Sequence, residues 1–330
     1  MVYKSEDIKK LNSLVLLKKL YQVKDATMAE LVKTTQFSQS SVRSILKDLE
    51  TKKILVLKNI DQSSGGRCPA RYTFSKEYFQ ILSVFIDEGT VEIMLKDIFN
   101  QEIFSKHLVC KLNAELENII IQIINECQVN CISIASSGVI QDDCFYTDQG
   151  DYMTKHEIAV NLKKQTKIPI IIENDVKSMM MGIQANQEYD QLAYLYMSET
   201  GVGSAYYLQG KILKGNQSFS GELGLLPHGK QTINEVIASK PGEDELEDIY
   251  AKLLVTIAVT IDPQRIILAG KNIDHISIEN IINKMHKCLS LKYQINIDIS
   301  TQPLIDGLNG LHYLGILKLF DLYTDYQRGK

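Results

Sequence analysis

Apolar residues recur at helical spacing through the first 55 positions. Leu11, Leu14, Val15 and the stretch from Leu17 to Leu20 predict the buried side of a first helix. Thr27 and Glu30 stand at capping-box spacing, so a second helix is expected to open there with Leu31 and Val32 turned inward. "TTQFS" breaks the pattern, and Ser38 reads as the N-cap of a third helix. In that helix Val42, Ile45, Leu46 and Leu49 fall on a single stripe. Lys53 to Leu57 then reads as a strand, "NIDQSSGG" as a turn and "RYTF" as the returning strand. Three helices followed by a two-stranded hairpin make a winged helix-turn-helix.

From about residue 79 strands alternate with helices. "ILSVFIDEGTVEIMLKDIFNQEIF" alternates apolar and polar positions like a meander, with a tight turn at Glu88, Gly89 and Thr90. "AELENIIIQIINECQ" is an amphipathic helix. "CISIASSG" and "IPIIIEND" are buried strands that stop abruptly at small or polar residues. "QLAYLYMSETGVGSAYYLQGKILKG" reads as strand, glycine turn and strand; "PQRIILAG" as a late buried strand; "GLNGLHYLGILKLF" as a closing helix. Strands joined by crossover helices predict an α/β body whose sites lie at strand ends.

Charge separates the two regions. Residues 1–75 hold 14 Lys and Arg against 7 Asp and Glu, a net of +7. The remainder holds 22 against 33, a net of −11, within an overall charge of −4. A basic head on an acidic body points to a polyanion as the head's partner. On the third helix Ser40, Ser44 and Lys47 project opposite the apolar stripe, with Arg43 on the flank. Small hydrogen-bonding side chains backed by cations can approach base edges while the cations hold phosphates. Alone, that face reads equally as a solvated surface; the wing shifts the reading to double-stranded DNA. In "GGRCPARYTF" the two glycines allow a tight turn, Arg67 is placed to enter a minor groove, and Arg71 is available to a phosphate.

Composition excludes some classes. No uncharged apolar run is long enough to span a membrane. "MVYKSEDIKKLNS" lacks the apolar core of a secretory leader, so a cytoplasmic location is expected. The cysteines at 68, 110, 127, 131, 144 and 288 are scattered; they read as buried free thiols rather than a metal site.

"GVGSAYYLQGKILKGNQSFSGELG" resembles the signature of the ROK family, a group of bacterial repressors and sugar kinases on an actin-like, two-lobed ribonuclease-H fold. "ENDVKSMMMG" is similar to the family's E-N-D-A-N-A-A segment, and "GGRCPARY" to the G-R-x-P segment ending the repressor branch's winged head. The resemblance implies a sugar pocket between the lobes, built from Gly138, Asn174, Asp175, Glu222 and Glu235. Asp175 matches the kinases' catalytic base. Carboxylates and an amide suit paired sugar hydroxyls.

Departures from the family pattern narrow the function. Leu225 stands where a sugar-contacting histidine is usual, and "LPHGKQTI" replaces a cysteine-rich zinc loop. His228 alone cannot supply four ligands, so no structural zinc is expected. "DEGT" (Asp87 to Thr90) lacks a glycine of the phosphate hairpin and adds a carboxylate. Lys271 and Asn272 occupy a loop where another glycine is expected, and the segment from Ser239 to Pro263 is short for a nucleotide-covering helical layer. Phosphoryl transfer depends on gripping the nucleotide, so Asp175 is expected to be vestigial and no cofactor is expected.

The expectation is therefore a winged helix-turn-helix over 1–78, a first α/β lobe over 79–182 with a closing helix at 306–320 packing back on it, and a second lobe over 183–305. Function is expected to be transcriptional regulation, most simply repression, of carbohydrate genes by a homodimer that answers to a sugar or sugar phosphate. The alternatives are a sugar kinase retaining a DNA-binding head and a regulator controlled by a protein partner.

Overall fold

The apolar stripes of the first 55 residues become three helices in the computed structural model, which describes residues 5–58, 69–87, 89–110, 112–148, 153–271, 273, 276–289 and 295–325. The head runs α1 (Ser5–Val23), β1 (Asp25–Thr27), α2 (Met28–Thr35), α3 (Gln39–Thr51), β2 (Leu55–Lys58) and β3 (Arg71–Phe74). The capping box opens α2: Thr27 Oγ1 accepts from the Glu30 N–H at 3.2 Å, and a Glu30 carboxylate oxygen accepts from the Thr27 N–H at 2.8 Å. Ser38 caps α3 through the Ser41 N–H. The wing hairpin gains a third strand, because β1 pairs antiparallel with β3 on the side away from β2. In α1 the phase differs from the sequence expectation. Leu16, Leu17 and Leu20 are buried, whereas Leu11 and Val15 face outward, because only one side of α1 meets the head's core.

The first lobe contains β4 (Ile81–Asp87), β5 (Thr90–Lys96), β6 (Glu102–Val109), α4 (Ala114–Glu126), β7 (Cys131–Ser136), β8 (Val139–Gln141), β9 (Cys144–Asp148), β10 (Met153–His156), α5 (Ile158–Gln165), β11 (Ile170–Asn174) and α6 (Asp175–Asn186). The second contains β12 (Gln191–Met197), β13 (Val202–Leu208), β14 (Lys211–Ile212), β15 (Pro227–His228), β16 (Gln231–Thr232), α7 (Ile233–Ala238), α8 (Glu243–Ile261), β17 (Arg265–Gly270), α9 (Ile278–His286), β18 (Ile297–Ser300) and α10 (Pro303–Tyr323). Each lobe is built on a five-stranded mixed sheet, ordered β11-β7-β4-β5-β6 in one and β14-β13-β12-β17-β18 in the other. In each, three strands run parallel and two antiparallel strands complete one edge. This is the two-lobed, actin-like α/β architecture that the resemblance implies, carrying a winged head. The sequence pattern missed the small β8-β9-β10 sheet, whose strands are short and only partly buried.

Two helices cross between the sheets. α6, which follows the first lobe's last strand, packs on β12 and β13 of the second; α10, which follows the second lobe's last strand, packs on β4 and β7 of the first. They also pack on each other, and glycines make the approach possible. A Cβ on Gly310 would stand 1.7 Å from the Ser178 carbonyl oxygen, and one on Gly182 would stand 2.0 Å from the Asp306 carbonyl oxygen. α10 then continues into the head. Phe320 stacks on Phe74 with centroids 5.5 Å apart, Phe79 meets both rings edge-on, and Tyr21 of α1 stacks on Tyr313 at 5.8 Å. Lys52 donates to the Tyr323 carbonyl, and Lys10 pairs with Asp321 at 2.8 Å. Head and body thus share one apolar cluster rather than being joined by a bare linker.

The helix crossing gives a direct test. Gly310→Ala forces the α6 backbone away and is expected to destabilise the chain by about 1–3 kcal/mol, the usual cost of overpacking. Chemical denaturation reads this as a lower midpoint. An unchanged midpoint would mean the helices are not held at this separation.

Candidate functional site

Between the lobes lies a cleft of about 400 Å³ formed where β4, β7, β11 and β12 end and β13 begins. Gly138, Asn174, Asp175 and Glu222 all line it, so four of the five expected pocket residues come together. Gly138 has φ +99°, and a Cβ there would lie 2.3 Å from the Tyr146 carbonyl oxygen, so this turn requires glycine. The β8-β9-β10 sheet forms the adjacent wall through Tyr146, Thr147 and Met153.

Asn174 caps α6. Its Oδ1 accepts from the Lys177 N–H at 3.1 Å, while its Nδ2 donates to the Gly138 carbonyl at 3.1 Å. The amide therefore fixes the cleft floor as well as facing it. Asp175 is the first residue of α6, and one carboxylate oxygen accepts from the Val176 N–H at 2.8 Å. Burial pushes its carboxyl up to about 6; that hydrogen bond opposes the shift, and the charges of Asp87 and Glu222 add to it. Burial also raises Glu222, against the pull of the Lys177 ammonium. Asp87, Asp175 and Glu222 thus bring three acids to one cleft, where their oxygens can meet sugar hydroxyls.

Glu235 requires a correction. It is exposed and lies outside the cleft, at the third position of α7, where it completes a capping box: its carboxylate accepts from the Thr232 N–H at 2.7 Å. The preceding residue, Asn234, faces the cleft instead, and its Oδ1 accepts from the Val202 N–H at 2.9 Å. Leu225 also lines the cleft. His228 does not replace the missing histidine; its ring lies 3.9 Å from Glu245. Glu88, Tyr152 and Asn272 lie outside the described residues. Sequence reasoning missed Asn234, Phe219 and Lys177. Lys177 carried a legible signal, a cation in the first turn of a helix that Asn174 caps.

The turn after β12, carrying Thr200 and Gly201, also borders the cleft. Its amides are occupied. Ser198 Oγ accepts from the N–H groups of Thr200 and Gly201 at 3.2 and 3.1 Å, and Asn234 takes that of Val202.

On the head, Ser40, Arg43, Ser44 and Lys47 are all exposed on one side of α3, opposite buried Val42, Ile45, Leu46 and Leu49. Among the described residues neither Arg43 nor Lys47 is held in an ion pair. Arg67 lies outside the described residues. Arg71 requires a correction: its Nε donates to Asp25 at 2.5 Å and its Nη1 to Glu30 at 3.2 Å. Its guanidinium ties β3 to β1 and α2, and no longer serves as an open phosphate contact. Hydrogen bonds from Lys58 and then Arg71 hold the Asp25 carboxyl below its ordinary value. No helix among the described residues is long and apolar enough to cross a membrane.

Comparison with known proteins agrees with this geometry. Residues 100–239 match the model of the ROK family. The chain is 23% identical over 233 residues to a xylose repressor of Bacillus subtilis, covering 66% of this chain and 60% of that one. It is 20% identical to a xylose repressor of Caldicellulosiruptor bescii, covering 58% of that protein. Among solved structures, a ROK family transcriptional regulator described as a homologue of the E. coli MLC protein superposes with a TM-score of 0.76 at 15% identity, covering 96% of this chain and 99% of that one. A ROK hexokinase from Thermus thermophilus superposes with a TM-score of 0.61 at 14% identity, over 72% of this chain and 98% of that one.

Asp175 sets a pH test. Its folded-state carboxyl holds a proton more tightly than the ordinary 3.8, so between about pH 4 and 6 the native chain binds more protons than the unfolded chain. This residue's contribution to stability therefore falls as pH rises through that window. Asp175→Asn is expected to melt above wild type at pH 7, with the gap closing towards pH 4. Melting curves that stay parallel across the range would contradict the burial of this acid.

Proposed function

We propose that this chain, whose residues 100–239 match the model of the ROK family, is a cytoplasmic, sequence-specific DNA-binding regulator that represses carbohydrate genes. Its body binds a sugar or sugar phosphate between the lobes. The observation that carries this reading is the exposed Ser40–Arg43–Ser44–Lys47 face of α3, on a head whose core continues into α10. A single winged head covers little surface, so the reading includes a homodimer addressing two half-sites. Relatives named as repressors of xylose genes support a sugar-responsive role.

The route from cleft to head is short. Asp175 and Asn174 stand at the start of α6, α6 lies against α10, and α10 carries Phe320 to Phe74 of the head. A ligand that draws the lobes together acts on α6 and α10, because each is packed on the opposite lobe's sheet. It changes DNA affinity only to the extent that it prefers one arrangement of the heads.

Asp175 and the fold shared with a ROK hexokinase favour one competing reading, a sugar kinase that retained a DNA-binding head. Against it, the Thr200, Gly201 and Val202 amides are already bonded within the protein, so a phosphate arriving there meets no ready donors. ATP turnover with a pentose and hexose panel, abolished in Asp175→Asn, would establish the kinase.

For DNA, Lys47→Ala is expected to weaken operator binding across sequences and reduce the slope of log affinity against log salt by about 1. Arg43→Ala is expected to weaken binding as well. Filter binding or anisotropy over a salt series measures both, and unchanged affinity in both variants would displace the reading surface from α3.

A further inference from the structure

The first turn of α6 carries a charge of the wrong sign for its position. Lys177 is the third residue of the helix after the Asn174 cap, where the helix dipole favours acids and opposes cations. It is also buried, with 5% of its surface exposed, and it lines the cleft. A buried ammonium is costly unless it is paired and hydrogen-bonded. Yet the one hydrogen bond of its Nζ among the described residues is a long one, 3.4 Å to the Ser218 carbonyl.

The surrounding charges do not relieve it. Glu173 is nearest in influence, but its carboxylate pairs with Lys214 at 3.0 Å and accepts from the Asn174 N–H at 3.0 Å. Glu222 and, from the same helical turn, Asp175 also attract the amine, and Lys214 repels it. Burial nevertheless dominates and pushes the amine below its ordinary value. Among the described residues no carboxylate lies within ion-pair distance of it, so Lys177 is not simply the counter-ion of Glu222. A nearly buried cation that lines the cleft with one long hydrogen bond and no ion pair among the described residues is suited to a ligand's anion.

Resting on the reading that the cleft holds a sugar, we infer that Lys177 forms an anion-recognising end of the cleft, and that the effector is an acidic sugar bearing a phosphate or a carboxylate. Glu222, Asn234 and Asp175 take the hydroxyls, and exposed Phe219 offers an apolar face to the ring. The acids and the cation then address different parts of one ligand. A phosphate and a carboxylate share the chemistry required, and the ligand panel separates them.

Isothermal titration of the full chain with pentoses and hexoses, their terminal phosphates and their uronates tests this. The best acidic ligand is expected to bind about tenfold or more tightly than its neutral parent, a difference that shrinks as sodium chloride is added. Lys177→Gln is expected to remove most of that advantage, so that the acidic ligand and its neutral parent bind within about threefold of each other. Lys177→Met, which keeps the length of the buried stem and removes only the amine, is expected to abolish the advantage to a similar extent. A preference for phosphate over uronate, or the reverse, identifies the group bound. A neutral sugar binding as tightly as its acidic derivatives overturns the inference and leaves the sugar site standing. So does Lys177→Gln weakening both classes equally. Failure of every neutral and acidic sugar to bind overturns the sugar site itself, and the inference with it.

Discussion

The backbone-to-backbone approach of α6 and α10 is the constraint on which the rest of this molecule depends. At Gly310 and Gly182 there is no room for a single methyl group, so the helices cannot slide or separate without breaking their contact. Each helix follows one lobe's sheet and packs on the other's. The lobes are therefore cross-braced, and the cleft opens only as far as this crossing permits. One end of α6 carries Asp175 and Lys177 of the cleft, and the far end of α10 carries the aromatic rings that seat the head. Close-packed elements with few alternative arrangements transmit small shifts as changes of state rather than absorbing them.

Cleft chemistry follows from where the strands stop. β7 and β11 run parallel and end at Ser136 and Asn174, which brings the Gly138 turn under the start of α6. The amide of Asn174 then serves two purposes, capping the helix and holding that turn. The glycine turn after β12 borders the same cavity but has its N–H groups satisfied by Ser198 and Asn234. One part of the cleft is thus rich in side-chain acids, while the glycine turn has turned its backbone donors inward. That asymmetry separates a site suited to holding a polyol from one suited to gripping a nucleotide.

Much of this was legible from the residues alone. The Thr27–Glu30 and Ser38 caps, the buried stripe of α3 and the strands ending at Ser136 and Asn174 all behave as their local chemistry dictates. What the sequence concealed are features set by tertiary partners. The hydrophobic phase of α1 was misjudged because Leu11 and Leu16 are equally apolar, and only the position of the neighbouring elements decides which is buried. Arg71 read as a phosphate contact because Asp25 is far from it in sequence, yet β1 and β3 pair side by side. Glu235 read as a sugar ligand from its motif, but a glutamate three residues after a threonine also satisfies a helix start, and here that local demand took it. Asn234 could not be distinguished from a loop amide until the turn at Val202 lay beside it.

The shared core of head and body also bears on synthesis. Lys52 of the head bonds to Tyr323, 271 positions later, and the stack of Phe74 on Phe320 spans a similar interval. The winged module leaves the ribosome before α10, yet one side of its interior stays uncovered until α10 has been translated. Until then a nascent chain carries its basic head with an unfinished apolar flank. A product cut short before α10 therefore lacks the rings that complete the head's core.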